Sequence, residues 1–188
     1  MTDKFQSRVQ SSLLSDSRQV QTWNKPQQDE LKINSDGAFD PNTGMGGWGF
    51  IIHDDQGMMV LAGAGSAKFL LDAFHAKLLG CVAGAKAAAQ LGTSKIVLET
   101  DASLVKSAVE SGEYRLSALG GVITELRLLL MSEFVEARVQ VCPRLCNKVA
   151  DALAAFGCNC PSDDQITWGD VPRFVENLVT NDWTESNE

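Results

Sequence analysis

The spacing of apolar residues in the first half of the chain predicts three β-strands. They lie at about residues 31–38, 47–54 and 57–65. Asp55-Gln56-Gly57 separates the second stretch from the third, and Asp and Gly are residues that tight turns favour. The pattern therefore predicts three consecutive antiparallel strands that form a meander.

A long helical pattern follows from about residue 72 to residue 91, with Asp72 suited to cap its start and Gly92 suited to end it. Many of its residues are small, which lets a helix lie close to a sheet. Further on, the pattern predicts a strand at Lys95–Thr100, helices at Ser103–Val109 and Leu119–Met131, a strand at Val135–Val141 and a helix at Cys146–Ala155. The order βββαβααβα predicts an α/β domain with helices on the faces of a five-stranded sheet.

Both ends of the chain differ in composition from this central part. Residues 1–30 are rich in Gln and Ser and carry few apolar residues, so they predict a flexible N-terminal leader ahead of a domain at residues 31–157. Residues 158–188 form an acidic C-terminal extension. Within it, Phe174, Leu178 and Trp183 recur at helical spacing, which predicts a helix that docks on the domain.

The formal net charge of −8 is unevenly distributed. Residues 31–157 carry eleven basic and thirteen acidic side chains, whereas residues 158–188 carry one basic and seven acidic side chains. No basic run of the kind that grips a phosphate backbone strongly is present, so any affinity for nucleic acid is expected to be weak. No stretch reaches the roughly 20 apolar residues of a membrane span, and the start is too polar for a signal peptide, so a cytoplasmic or nuclear location is expected.

Five segments follow one another in a characteristic order. They are Leu31-Lys-Ile-Asn-Ser-Asp-Gly-Ala-Phe39, Gly46-Gly-Trp-Gly-Phe-Ile-Ile52, Phe74-His-Ala-Lys77, Ile96-Val-Leu-Glu-Thr-Asp101 and Pro143-Arg-Leu-Cys-Asn-Lys-Val-Ala-Asp-Ala-Leu153. The set resembles the ribonuclease H-like domain that plants carry in retroelement polyproteins and in stand-alone proteins derived from them. The resemblance covers about residues 23–183. It implies the ribonuclease H-like fold, with three antiparallel strands followed by parallel ones.

Three acids occupy the family's metal-binding positions: Asp36 in the first strand, Asp101 at the end of a later strand and Asp151 on the last helix of the domain. Phosphodiester hydrolysis by two Mg²⁺ or Mn²⁺ ions needs such a cluster of carboxylates. From the residues alone, Asp36 could instead begin a turn, and Asp101 could equally cap the helix that follows it. The apolar neighbours of Asp151 place it on a packed face of its helix.

The remaining acid of the family's site is missing. Active relatives have His-Ala-Glu-Ala on the first helix, whereas this chain has Lys77 in the position of the Glu, which changes the charge of the four-residue cluster from −4 to −2. At an effective dielectric constant of about 20, a unit positive charge about 4 Å from a divalent ion is repelled by up to about 8 kcal/mol. Lys77 could pair with Asp36 or Asp101 instead. Val141 and Ala102 also replace a His and a Ser that many active relatives carry.

Two hypotheses about function follow. In the first, the domain is catalytically weak or inactive and serves as a nucleic-acid- or protein-binding module, without a cofactor. In the second, it remains an Mg²⁺- or Mn²⁺-dependent endonuclease that cuts the RNA strand of RNA–DNA hybrids with Asp36, Asp101 and Asp151. The residues expected to contact nucleic acid are Gly37, Gly46, Gly47, Arg144, Asn147 and Lys148. A tight turn is an equally good explanation of the glycines at 46 and 47.

Overall fold

The computed structural model describes residues 22–161 and 164–185. Most of the predicted leader, residues 1–21, and the side chain of Trp183, which was expected to dock, lie outside the described residues. The described part of the leader packs on the domain, because Trp23 is only 2% exposed and contacts Cys142 and Cys146.

A mixed sheet of six strands forms the centre of the molecule, whereas the sequence predicts five. The strands lie in the order β5-β4-β1-β2-β3-β6. β1, β4 and β5 run parallel to one another, and β2, β3 and β6 pair antiparallel to their neighbours. The additional strand, β6, belongs to the C-terminal extension and pairs with β3. The strands span Leu31–Asp40 (β1), Met45–His53 (β2), Met59–Ala67 (β3), Lys95–Thr100 (β4), Glu136–Val141 (β5) and Gln165–Trp168 (β6).

Helices cover both faces of the sheet, as expected for an α/β domain. One face packs against α1, α2 and α3 through a core that includes Ile33, Leu98 and Ile123. The other face packs against α4 around Ile51 and Leu153. The helices span Ala73–Gln90 (α1), Ser103–Ser111 (α2), Gly120–Glu133 (α3), Lys148–Gly157 (α4) and Glu176–Glu185 (α5). Among the described residues, no helix has the length and apolar character that crossing a membrane requires.

The small residues of α1 let its backbone touch the central strand. A Cβ added to Gly80 would lie 2.5 Å from the carbonyl oxygen of Asp36, closer than real Cβ atoms come to other atoms. The side chain of Asp72 caps this helix by accepting the N–H of His75 at 2.8 Å, as the sequence predicts. The close approach places Lys77, one turn before Gly80, directly beside the middle of β1.

Candidate active site

Two of the predicted acids become neighbours through the parallel pairing of β1 and β4. In this register Asn34 lies opposite Glu99, so Asp36 and Asp101, two residues further along each strand, come to the same place. The carboxyl end of β4 brings Asp101 there because the strand ends at Thr100. Both side chains are almost completely buried, with 4% of Asp36 and 7% of Asp101 exposed.

The ammonium group of Lys77 lies between these two acids. Its Nζ atom is 2.6 Å from Oδ1 of Asp36 and 2.5 Å from Oδ1 of Asp101. Oδ1 of Asp36 also accepts the N–H of Gly37 at 2.8 Å, and Oδ2 of Asp101 accepts a bond from Nε of Arg144 at 3.3 Å. The four charged side chains therefore sum to zero, and the lysine bridges a strand, a helix and a strand end.

Burial and pairing shift the pKa values of this cluster in different directions. Burial raises the pKa of Asp36 above its usual value, and the bonds from Lys77 and Gly37 offset that effect only in part. Burial also acts to raise the pKa of Asp101, but the bonds from Lys77 and Arg144 outweigh it and hold the pKa below its usual value. The pKa of Lys77 is raised because its bonds to both acids outweigh burial, which acts to lower it. Lys77 is therefore a charged ammonium at neutral pH.

Asp101 does not cap helix α2, which was the alternative role considered for it. Helix α2 has Ala102 at its N-cap position, without a hydrogen bond from a capping side chain. The carboxylate of Asp101 is bonded to Lys77 and Arg144 instead. Asp101 is therefore bonded to side chains of the candidate site and not to the backbone at the start of α2.

Asp151 does not share the environment of the other two acids. It lies in the first turn of α4 and is exposed, in contrast to the packed position expected from its apolar neighbours. The packed face of α4 consists of Val149, Ala150, Leu153 and Ala154. In the described parts of the chain, neither a hydrogen bond nor an ion pair connects the Asp151 side chain to the cluster around Lys77.

The residues that are present do not fit a divalent metal ion. Mg²⁺ requires oxygen ligands at about 2.0–2.1 Å in octahedral geometry. Lys77 Nζ already bonds one oxygen of each of the two buried carboxylates that would have to supply such ligands. Within residues 22–161 and 164–185, no group of three or more His, Cys, Asp or Glu side chains is placed to hold a metal. The positive charge between the two carboxylates is the ammonium group of Lys77.

The glycines near the site are explained by close backbone contacts. A Cβ on Gly37 would lie 2.2 Å from the carbonyl carbon of Ala76, and one on Gly46 would lie 2.1 Å from the carbonyl oxygen of Ala38. A Cβ on Gly47 would lie 2.3 Å from the backbone nitrogen of Cys158. The expected approach of another backbone is therefore present, at the end of α4 and at α1, and it accounts for glycine at these positions without a ligand.

The three polar candidates near α4 differ in availability. Asn147 is 1% exposed, and its side-chain nitrogen donates to the carbonyl oxygen of Ser35 at 3.1 Å. It therefore fixes the start of α4 against β1 inside the protein. Arg144 and Lys148 are exposed, and 86% of the Arg144 side chain is accessible. These two side chains are the cations that a phosphate could reach.

A buried polar network next to the site was not anticipated from the sequence. Asn34 accepts the indole N–H of Trp23 at 3.0 Å and donates to Glu99 at 3.0 Å, while Lys32 Nζ lies 2.8 Å from Glu99. Lys32, Asn34 and Asp36 alternate along β1, so all three lie on one face of the sheet. That period of two was the available signal, since three polar residues on the face of a central strand require internal partners.

Comparisons with known proteins identify the domain. The reverse transcriptase-like family matches residues 34–157, whereas no curated protein gives a significant match. Ribonuclease H1 from the halophilic archaeon Halobacterium salinarum NRC-1 is similar in structure with a TM-score of 0.62 and 26% identity, over 68% of this chain and 96% of that one.

Two further solved structures have the same fold at lower identity. The N-terminal ribonuclease H domain of a Mycobacterium tuberculosis protein has a TM-score of 0.62 at 23% identity and covers 69% of this chain and 94% of that one. LC11 ribonuclease H1 in complex with an RNA/DNA hybrid has a TM-score of 0.62 at 17% identity, over 69% and 96% of the two chains. The chain therefore belongs to the reverse transcriptase-like family, and its central domain has the ribonuclease H-like fold.

Proposed function

We propose that this protein is a ribonuclease H-like domain that has lost nuclease activity and serves as a binding module. The observation that carries the proposal is the position of Lys77 Nζ, at 2.6 Å and 2.5 Å from one oxygen of Asp36 and one of Asp101. Two-metal hydrolysis needs these carboxylates free to hold cations. In this chain the ammonium group of Lys77 bonds to these carboxylates instead.

The cost of displacing Lys77 supports the same conclusion. For a metal to bind, the ammonium would have to leave two buried carboxylates to which it is hydrogen bonded, or remain close to a divalent ion that repels it. Asp151 is exposed on α4, and among the described residues its side chain has no hydrogen bond or ion pair to the cluster. The fourth acid of the family's site is missing in any case, because Lys77 occupies its position. This arrangement does not provide the metal ligands that two-metal hydrolysis needs.

The ligand that we propose for the face around the site is an RNA–DNA hybrid or another nucleic acid, bound weakly. Support comes from the exposed cations Arg144 and Lys148 and from the similar ribonuclease H1 that was solved with an RNA/DNA hybrid. With few cations at the site and a net charge of −8, the affinity is expected to be low and to fall steeply with salt. We further infer from the five ordered segments described above that the domain descends from a plant retroelement. We also infer that it works in the cytoplasm or nucleus.

Cleavage of a labelled RNA–DNA hybrid in Mg²⁺ and in Mn²⁺ tests the proposal. The variants are Lys77→Glu, which restores an acid, the single variant Asp36→Asn, and the double variant Lys77→Glu/Asp36→Asn. Lys86→Glu is the matched control, because it makes the same charge change on the exposed surface of α1, where Lys86 pairs with Glu125. Binding of Mg²⁺ and Mn²⁺, measured by calorimetry, provides a second readout that does not depend on turnover.

We expect Lys77→Glu to bind metal. The unchanged protein, Lys86→Glu and the double variant Lys77→Glu/Asp36→Asn should neither bind metal nor cleave the hybrid. Cleavage by Lys77→Glu that Asp36→Asn removes would show that one substitution silenced the chemistry. Cleavage by the unchanged protein that Asp36→Asn abolishes would overturn the proposal in favour of a metal-dependent endonuclease.

A further inference from the structure

The two edges of the sheet differ in how they are covered. At one edge, β6 of the C-terminal extension pairs with β3. At the other edge, β5 pairs with β4, and no strand of the described residues pairs with its outer side. Within residues 22–161 and 164–185, one edge of the sheet is thus closed by an added strand and the opposite edge has none.

The outer side of β5 presents backbone hydrogen-bonding groups. The N–H groups of Glu136 and Cys142 point inwards, because they donate to carbonyl oxygens at the ends of β4, at 3.1 Å and 3.0 Å. Since successive residues of a strand point their N–H and C=O groups to alternate sides, those of Ala137, Val139 and Val141 point away from the sheet. Three residues therefore offer donors and acceptors to an incoming strand.

A cavity of about 640 Å³ lies directly beside this edge, between β5, α2 and α3. Its floor is apolar and comprises Val109, Leu130, Phe134, Ala137 and Val139. Two large apolar side chains at its mouth, Met131 and Val135, are 76% and 88% exposed. An apolar side chain of a strand placed along β5 would enter this cavity, because the helix-facing residues of neighbouring strands lie side by side.

Three cations line the cavity, and two of them already have acidic partners. Lys106 lies 3.9 Å from Glu110. Arg138 pairs with Glu30 and lies 3.9 Å from Glu136. Arg127 has no ion pair among the described residues, and its buried Nη1 atom has no hydrogen-bond partner there either. A buried donor without a partner is costly, and an incoming carboxylate would satisfy it.

We propose that the open edge of β5 binds an extended segment of another protein that carries both apolar and acidic side chains. The segment would add to the sheet as a seventh strand through Ala137, Val139 and Val141, place an apolar side chain in the cavity and set a carboxylate against Arg127. Main-chain bonds supply affinity in such strand addition, and the side-chain cavity supplies specificity. The site is separate from the cluster around Lys77, so it does not rest on the function proposed for that cluster.

A second copy of this chain is a poor occupant of the edge. A two-fold interface brings the same patch of both subunits together, and the acids of this patch already pair with Lys106 and Arg138. Such an interface would therefore offer Arg127 no unpaired carboxylate. In the described part of the acidic C-terminal extension, β6 lies at the opposite end of the sheet.

A synthetic peptide, Glu-Glu-Val-Glu-Val-Glu-Val-Glu-Glu with blocked ends, is the probe. Its valines share one strand face and are flanked by Glu on that face, while the other face is acidic throughout. Two control peptides test the binding mode: one with the same composition but the valines consecutive, and one with alternate backbone nitrogens methylated. Binding is followed by amide chemical shifts and by fluorescence anisotropy of the labelled peptide.

Three protein variants separate the contributions. Ala137→Pro removes an outward N–H without removing a bond to β4, Arg127→Glu reverses the charge at the rim, and Lys86→Glu makes the same charge change away from the cavity. Thermal unfolding shows which variants are folded. If Ala137→Pro fails to fold, Arg127→Glu and the methylated peptide still decide the outcome.

The proposal predicts saturable binding with amide shifts at residues 137, 139 and 141, loss of binding in Ala137→Pro and with the methylated peptide, and a weakening of about tenfold in Arg127→Glu. Lys86→Glu should bind as the unchanged protein does. Absence of saturable binding, equal weakening by Lys86→Glu, or unchanged binding of the methylated peptide would each overturn it. A dimer that Ala137→Pro dissociates would assign the edge to a second copy and would also overturn it.

Discussion

Nζ of Lys77 lies 2.5 Å from Oδ1 of Asp101 and ties helix α1 to the end of strand β4. The same ammonium bonds Asp36 in the middle of β1, so one side chain connects three elements at the centre of the sheet. A metal ion held by carboxylates from the same elements would connect them in a comparable way. In this chain the connection does not depend on metal concentration.

Removal of this internal cation should destabilise the protein. Lys77→Met leaves two buried carboxylates without their shared partner, and breaking a buried ion pair in this way costs about 3 kcal/mol. The free energy of unfolding in urea measures the loss. Lys86→Met is the control: its pair with Glu125 is about half exposed, so it should lose less than about 1 kcal/mol. Equal losses in the two variants would show that the Lys77 pairs contribute no more than a surface pair.

The stability of the protein should depend on Lys77 at alkaline pH. Its folded-state pKa is raised above the ordinary value of 10.5. A raised pKa in a cationic group contributes stability that is complete below the unfolded-state pKa and is lost as the pH rises through the folded-state pKa. Unfolding of the unchanged protein between about pH 9 and pH 12 should therefore show a loss of free energy that Lys77→Met does not show. Parallel curves for the two proteins would contradict the assignment.

At acidic pH, the contribution of Asp101 to stability changes in the opposite direction: it is lost as the pH falls. Its folded-state pKa lies below the ordinary value of 3.8, so its contribution is present above 3.8 and is lost as the pH falls through the folded-state pKa. Asp101→Asn should remove that loss and flatten the stability curve below about pH 4. Unfolding followed by urea titration at several acidic pH values measures it. Asp54→Asn, at a half-buried turn carboxylate that takes part in no ion pair among the described residues, provides a comparison.

Two glycine substitutions in helices should have opposite effects. Gly80→Ala should lower stability by about 1–3 kcal/mol, because its Cβ would collide with the Asp36 carbonyl oxygen at 2.5 Å. Gly121→Ala, in the first turn of α3, meets nothing within 4 Å and should raise stability by up to about 1 kcal/mol through helix propensity alone. Urea unfolding of both variants tests the close contact. Stabilisation by Gly80→Ala would show that α1 and β1 can separate.

The indole N–H of Trp23 should matter to the domain even though residue 23 precedes the first strand. Trp23→Phe keeps an aromatic ring beside Cys142 and Cys146 but leaves the Oδ1 atom of Asn34 without its donor. An unsatisfied buried acceptor costs about 1–3 kcal/mol. Thermal unfolding should therefore shift downwards. An unchanged midpoint would indicate that water replaces the indole N–H.

Much of the fold follows from local patterns in the sequence, and β6 shows where those patterns fail. Most strands and helices of the domain were predictable from local signals, such as apolar spacing in β1 to β3, β-branched residues in β4, and the N-cap Asp72 and stop Gly92 of α1. Gln165–Trp168 is only four residues long and follows a polar linker, so its pattern is too short to separate from a loop. It becomes a strand because the outer edge of β3 supplies partners, and that pairing is a long-range property.

The candidate site was predictable in its chemistry and less so in its geometry. The pairing of Lys77 with Asp36 and Asp101 followed from charge, because three such groups near one another satisfy each other. The exposed position of Asp151 was misjudged, since its apolar neighbours suggested a packed face. The spacing of Val149, Ala150, Leu153 and Ala154 on α4 held the better signal, because it sets Asp151 off the packed face.

Strand β6 also has a consequence for the order in which the molecule assembles. The outer edge of β3 leaves the ribosome long before Gln165–Trp168, the segment that covers it, has been synthesised. During that interval the nascent chain has both ends of its sheet open, and such edges are where unfinished domains pair with other chains. Protection of β3 therefore comes after synthesis of the other five strands, and a ribosome that stalls before residue 165 presents a sheet whose β3 edge is unpaired.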